Sequence, residues 1–276
     1  DLVIDSLISL RPGADRLEVQ ATVYNEADDH RLRVLFPSGA RTQVYLADSP
    51  FDVVERPIAL RVDNHLYREL EVETKPQQSW TAVFDGQRGL AVVSSGLMES
   101  AVRDLPMRPI ALTLFRGTRR TVMTDGEPNG QLRGVLTFRY WIVPLAGEPD
   151  RSRLCALGQQ LAGGLRDVQL RPEDIALHRQ PTALPPTAGF LSLDGPAVLS
   201  SVRRVGEALE LRLFNPTKKQ IQATITLGEP IGMARLPTRA QRVDFEGRPL
   251  DRARAIEGGA VTFRLRAKQI LTVRLS

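Results

Sequence analysis

Cysteine, histidine and aromatic residues are all scarce in this 276-residue chain, and each shortage excludes a kind of chemistry. A single cysteine, Cys155, rules out an intramolecular disulfide and suits a reducing compartment, which predicts a cytoplasmic protein. Cys155 stands among Leu154, Ala156 and Leu157, a setting for an inert, partly buried thiol rather than a nucleophile. The three histidines, His30, His65 and His178, lie far apart, so no pair has the short spacing of a metal site. Aromatics make up only 5% of the chain, too few for an extended stacking platform. No apolar run approaches the roughly 18 residues that span a bilayer, which argues against a membrane protein. No basic-then-apolar leader precedes the first strand pattern, and the chain opens on Asp1, as a processed or shortened protein would.

What is present is enough for a sizeable core: 42% of residues are hydrophobic, which excludes wholesale disorder. The length suggests two domains of ordinary size. Formal net charge is +5, unevenly spread: residues 1–100 hold 10 basic and 16 acidic side chains, and the remainder 27 basic and 16 acidic. Almost all the cations are arginine, and they mostly alternate with apolar residues, as at Arg212 and at Arg264 and Arg266. That is the solvated face of strands rather than a nucleic-acid surface interleaved with aromatics, so no nucleic-acid partner is expected.

Period-two alternation dominates. Arg16–Tyr24 places Leu17, Val19, Ala21 and Val23 on one face, and His30–Phe36 opposes Leu32 and Val34 to Arg31 and Arg33. Further strands are predicted at 68–74, 79–84, 90–94, 110–115 and 134–143, and beyond residue 188 at 189–193, 198–205, 208–214, 221–227 and 261–273. Leu209–Phe214 and Ile221–Leu227, joined through Asn215-Pro216-Thr217, read as a hairpin. Gly- and Pro-bearing breaks between many short strands argue for β-sandwiches. One segment differs: Asp150–Gly164 spaces Leu154, Leu157 and Leu161 as a short amphipathic helix, with Asp150 able to cap it and Gly163-Gly164 able to end it. Arg179–Pro186, with three prolines in eight residues, interrupts regular structure. The division predicted is a large β-sandwich over 1–180, a Pro-rich linker over 181–188 and a small C-terminal β-sandwich over 189–276.

Catalytic constellations are missing. There is no Gly-x-Ser-x-Gly elbow, phosphate-binding glycine loop or dinucleotide fingerprint. Two adjacent carboxylate pairs, Asp28-Asp29 and Glu173-Asp174, lie in turn-like surroundings. Neighbours on a strand would point to opposite faces, so solvated turns account for both better than paired glycosidase carboxyls do.

Several strings taken together resemble bacterial α-mannosidases of glycoside hydrolase family 38. Tyr24–Gly39 (YNEADDHRLRVLFPSG) is similar to that family's N-x-x-x-D-H-R-L-R-V-x-F-P, and Asp48–Pro57 (DSPFDVVERP) to the stretch that follows it. Gly89–Glu99 (GLAVVSSGLME), Ile110–Gly117 (IALTLFRG), Phe138–Pro144 (FRYWIVP), Gly189–Asp194 (GFLSLD) and Lys268–Leu275 (KQILTVRL) continue the likeness in collinear order. The resemblance implies the C-terminal region of such an enzyme: a large, galactose-mutarotase-like antiparallel β-sandwich followed by a smaller one, with one short helix. The zinc, the aspartate nucleophile and the acid carboxyl belong, by the same resemblance, to an N-terminal β/α barrel that is the chain's partner in one enzyme. This chain has no catalytic residues and no metal or cofactor site of its own on that reading. Retaining hydrolysis of α-mannosides would be the work of the full-length enzyme. Two departures, Glu99-Ser100-Ala101 where the family has E-Y-E and EPNGQ at 127–131 where it has T-P-x-A-Q, leave a mannosidase and a mannosylglycerate-type hydrolase both open. A homo-oligomer is also left open.

Arg116, in the LTLFR string, is the candidate cleft residue, matched to an arginine that the family's C-terminal region sends toward the substrate. Its planar fork suits paired sugar hydroxyls. The competing role is pairing with a nearby acid at a strand end. Arg31 and Arg33 are expected to form inter-domain ion pairs. The alternative function is a stand-alone carbohydrate-binding β-sandwich, which would need exposed aromatics among Trp80, Trp141, Tyr45 and Tyr67. The two tryptophans lie in apolar strand patterns that predict core packing.

Overall fold

The computed structural model describes residues 1–119, 130–169, 171–173, 187–228 and 235–276, and the chain divides into two compact units, Asp1–Gly163 and Gly164–Ser276. The first contains β1 (Leu2–Ser9), β2 (Leu17–Asn25), β3 (His30–Phe36), β4 (Val44–Ser49), β5 (Asp52–Pro57), β6 (Lys75–Pro76), β7 (Trp80–Phe84), β8 (Gly89–Ser94), β9 (Glu99–Val102), β10 (Ile110–Gly117), β11 (Gly134–Leu145) and the helix α1 (Arg151–Gly163). These form two antiparallel sheets, a seven-stranded one ordered β1-β2-β11-β8-β7-β4-β5 and a four-stranded one ordered β3-β10-β9-β6. Alternating residues of both sheets fill one core, among them Val19, Ala21 and Val23 of β2, Ile110 and Leu112 of β10 and Tyr140 of β11. A sandwich follows where strands alternate, as in β2, which buries Val19, Ala21 and Val23 between more open neighbours; each large aliphatic side chain buried in this way stabilises the fold by about 1.5–3 kcal/mol.

The helix forms where its capping residues predict. The Asp150 carboxylate accepts the Arg153 N–H at 3.0 Å, Leu154 and Leu157 are buried, and Gly164 turns left-handed at φ +61° just beyond the last turn. The helix lies on β7 and β8, and Gly158 is what lets it come close. A Cβ there would sit 2.2 Å from Ser79 Oγ.

The second unit holds β12 (Leu191–Asp194), β13 (Val198–Val205), β14 (Ala208–Phe214), β15 (Ile221–Leu227), β16 (Arg239–Val243), β17 (Arg254–Ala255), β18 (Ala260–Leu265) and β19 (Ile270–Leu275). A three-stranded sheet, β12-β15-β18, faces a five-stranded one, β13-β14-β19-β16-β17, across a core that includes Leu211, Leu213, Ile225, Phe263 and Val273. The architecture is the expected one: mostly β, antiparallel, with one helix among the described elements. The Pro-rich segment 179–186 lies outside the described residues.

Three local expectations are corrected. The predicted strand at 68–74 is a loop: Leu70 and Val72 are exposed, and Asn64 uses its side-chain amide as a surrogate strand, accepting the Glu71 N–H at 2.7 Å and donating to the Glu71 carbonyl at 2.8 Å. The predicted hairpin of 209–214 with 221–227 is no hairpin, because β14 and β15 belong to opposite sheets. The buried Asn215 amide makes that crossing, donating to the carbonyls of Lys219 at 2.7 Å and Arg266 at 2.8 Å. The single predicted strand 261–273 is two strands, also in opposite sheets, with Lys268 at φ +59° in the turn between them.

Candidate functional site

On the outward face of the four-stranded sheet, β10 runs between β3 and β9. Strict alternation along Leu112-Thr113-Leu114-Phe115-Arg116 would send Leu112, Leu114 and Arg116 to the same, inner side. The pairing shows otherwise. Thr113 is opposite Arg33 but Phe115 is opposite Leu32, so Leu114 is the extra residue of a β-bulge. The bulge turns Phe115 inward and brings Arg116 outward in register with Arg31, the re-aiming for which bulges are used.

Arg116 is about half exposed and forks onto Glu99 of β9, with Nε 3.2 Å from Oε1 and Nη2 on Oε2. The same carboxylate accepts the Thr113 hydroxyl at 2.7 Å and lies 3.7 Å from Arg31 Nη1. Burial works to raise the Glu99 pKa, but the hydrogen bonds from Arg116 and Thr113 and the charges of Arg116 and Arg31 outweigh it and hold the carboxyl below its usual range. Arg31 and Arg33 both donate to Thr74 Oγ1, at 3.3 and 3.1 Å. Within this chain the partners of both arginines, Thr74 and for Arg31 also Glu99, lie in their own unit. Arg103 and Glu73 add a further ion pair at 3.3 Å. Burial and the Arg31 charge depress the Arg33 guanidinium pKa. The result is a surface with four guanidinium groups against two carboxylates, in which Arg31, Arg33, Glu99 and Arg116 stand on paired strands and Glu73, Thr74 and Arg103 on the flanking loops.

At the end of β3 the adjacent acids are committed elsewhere. Asp29, at φ +53°, accepts the Arg119 backbone N–H at 2.9 Å, the Arg119 side chain at 2.8 Å and the Gln131 amide at 2.7 Å. These bonds pull its pKa down to about 2. Asp28 is tied to Arg133, whose Nε lies at 2.8 Å. Both acids are ion-paired turn residues, as the sequence reading favours. Glu173 sits 4.0 Å from Arg171, and Asp174 lies outside the described residues.

The remaining sequence candidates are dispersed. Trp80 is fully buried and donates through Nε1 to Cys155 Sγ at 3.4 Å, and burial pushes the Cys155 pKa up to about 12. Trp141 is buried beneath Arg16, and Tyr45 is buried. Tyr67 is exposed, with Arg61 stacked 4.2 Å over its ring. No row of open aromatic faces results from these four. His30 packs edge-on against Phe115, its ring centroid 5.2 Å away, and neither ring nitrogen has a hydrogen-bond partner. His65 lies in a short 3₁₀ turn, and His178 lies outside the described residues. Among the described residues no three His, Cys, Asp or Glu side chains gather as metal ligands, so these residues do not fit a zinc ion. No described helix is long and apolar enough to cross a membrane.

One residue of structural consequence has no signal in the period-two pattern. Asp48 is buried at the end of β4, and its Oδ1 accepts the backbone N–H groups of Gln78, Ser79 and Trp80 at 3.0, 2.8 and 2.9 Å.

Residues 2–122 match the family described as "Glycosyl hydrolases family 38 C-terminal domain". A curated relative from Halalkalibacterium halodurans, described as a candidate mannosylglycerate hydrolase, is 25% identical over 231 residues, which cover 79% of this chain and 23% of that protein. The crystal structure of an α-mannosidase from Enterococcus faecalis V583 superposes with a TM-score of 0.76 at 26% identity, covering 99% of this chain and 29% of the other. A second structure, of a family 38 glycosyl hydrolase protein from Enterococcus faecalis, gives a TM-score of 0.74 at 26% identity, with 99% and 30% coverage. The chain thus spans less than a third of the length of each of these three proteins. Residues 2–122, somewhat under half of the chain, match the family 38 C-terminal domain, and nearly the whole chain follows the fold of these α-mannosidase and family 38 structures.

Proposed function

We propose that the chain is the non-catalytic C-terminal part of a retaining α-mannosidase, supporting a zinc-bearing catalytic barrel and lining one side of its cleft. The observation that carries the reading is coverage: 99% of this chain corresponds to 29% of an α-mannosidase chain. The zinc ligands and the reacting carboxyls would then lie in the partner barrel. Arg116 is the residue offered to the cleft. Its fork is fixed on Glu99, leaving the outer N–H of Nη1 free to donate to a sugar hydroxyl.

The test joins and separates the two parts. The 276-residue chain alone, supplied with Zn²⁺, should not hydrolyse an aryl α-mannoside, whereas the enzyme containing barrel and chain should. In that enzyme Arg116→Ala should lower kcat/KM roughly tenfold or more, the loss of about one charged hydrogen bond, with Tm nearly unchanged. Zinc-dependent turnover by the chain alone would overturn the division of labour, and wild-type kinetics in the variant would remove Arg116 from the cleft. A mannoside with an anionic aglycone is the second substrate reading. The name of the Halalkalibacterium halodurans relative and the four-to-two excess of guanidinium over carboxylate beside Arg116 favour it. Relative kcat/KM on mannosylglycerate and on a neutral aryl mannoside decides between the two.

A further inference from the structure

A pocket on the open side of the second unit is built from charge that the scaffold role does not use. It is lined by Gln222 of β15, Thr262, Phe263 and Arg264 of β18, Arg242 of β16, Arg254 of β17 and the loop residue Asp251, and encloses about 450 Å³, within the roughly 300–1,000 Å³ of small-molecule sites. Its one carboxylate is already committed: Asp251 accepts the Arg242 backbone N–H at 3.0 Å on one oxygen and Arg242 Nε at 2.7 Å on the other. Among the described residues Arg254 has no acid against it, and it is oriented by stacking 4.0 Å over the Phe263 ring. Arg264 has no ion-pair or hydrogen-bond partner among the described residues. It stands directly across from Gln222 on the neighbouring strand, with Thr262 two residues away on the same face.

Two uncommitted guanidinium groups beside an amide and a hydroxyl make a recognisable combination. The planar forks match an oxyanion, and the neutral groups can donate to and accept from hydroxyls. We infer that this pocket binds a small oxyanion-bearing polyol, a sugar acid or a sugar phosphate, with Arg254 and Arg264 on the anionic group and Gln222 and Thr262 on the hydroxyls. The inference is independent of the mannosidase reading, because every lining residue lies in the second unit and none in the Arg116 surface.

Titration calorimetry on the 276-residue chain tests it, with glucuronate, glucose 6-phosphate, inorganic phosphate and neutral glucose as probes. At least one of the two anionic sugars should bind, more tightly than inorganic phosphate and with glucose giving no signal. Whichever sugar binds tighter identifies the oxyanion. Arg264→Gln, an exposed change that removes no hydrogen bond or ion pair among the described residues, should weaken binding on the order of tenfold or more. Arg139→Gln, an exposed change in the first unit, should leave it unaltered. Arg254→Gln should weaken binding similarly, with its Tm measured alongside because the Phe263 contact is lost. Failure of both anionic sugars to bind, binding no tighter than that of inorganic phosphate, or equal weakening by Arg264→Gln and Arg139→Gln would overturn the proposal.

Discussion

Replacing Asp48 by alanine isolates the worth of one buried carboxylate. Its Oδ1 gathers three backbone N–H groups where β7 begins, and its Oδ2 accepts the Ser79 hydroxyl at 2.6 Å. In the alanine variant the Gln78 N–H keeps a partner, because it also bonds the Asp48 carbonyl at 3.2 Å. The Ser79 and Trp80 N–H groups do not, and Trp80 is fully buried. Two N–H groups left without their charged acceptor, at about 1.5–3 kcal/mol each, give about 3–6 kcal/mol. A unit of this size loses about 2–4 °C per kcal/mol, so its midpoint should fall by about 6 °C at the least. Both tryptophans lie in the first unit, so tryptophan fluorescence during heating or urea unfolding follows that unit alone. Asp48→Asn keeps an oxygen for the N–H groups and should cost only about 1 kcal/mol, the difference between a charged and a neutral acceptor. An alanine variant within 1 kcal/mol of wild type, or an asparagine variant as damaged as the alanine one, would refute the reasoning.

Two further outcomes follow from buried titratable groups. Glu210 is 2% exposed and clamped across the sheet by Arg203 and Arg274, with Nε atoms at 2.9 and 3.0 Å. Burial works to raise its pKa, but the two arginines' hydrogen bonds and charges win and lower it. A depressed folded pKa gives stability that is present above the unfolded carboxylate range of about 4.3 and lost as pH falls through the lower folded value. Protection of the β14 amides, taken relative to their intrinsic exchange rates, should therefore fall below about pH 4 in the wild type, and Glu210→Gln should be less protected at neutral pH with a flatter acid slope; identical profiles would contradict this. Cys155, its pKa pushed up to about 12 by burial, should react with an aromatic disulfide reagent at pH 8 only once urea unfolds the protein. Rapid stoichiometric labelling of the native chain would show the thiol to be open.

Alternation, capping residues and breakers made most strands and the helix legible, because those signals are local. The loop at 68–74 carries the same alternation in Leu70, Val72 and Thr74. Only the Asn64 side chain, pairing with Glu71 seven residues away, shows that no sheet receives it. The strands joined at Asn215 look like hairpin arms from sequence, since a six-residue connection permits either a turn within one sheet or a step across the sandwich. Choosing between them depends on Arg266, some fifty residues downstream, whose carbonyl the Asn215 amide meets. The Arg116 site divides in the same way. Family resemblance pointed to the residue, but its fork on Glu99 and its alignment with Arg31 depend on pairings between strands, and pairing leaves no mark in any one strand's sequence.

The extra residue in β10 leaves the rest of the strand in frame. Thr113 and Phe115 stand opposite Arg33 and Leu32, which are adjacent on β3. Deleting Leu114 alone would therefore restore plain alternation, with Phe115 still inward and Arg116 still outward opposite Arg31. What the deletion removes is one leucine of the core. The faces of Phe115 and Arg116 are thus set by the ladder with β3, and the strand can hold one residue more or fewer at this point while the polar surface keeps its composition.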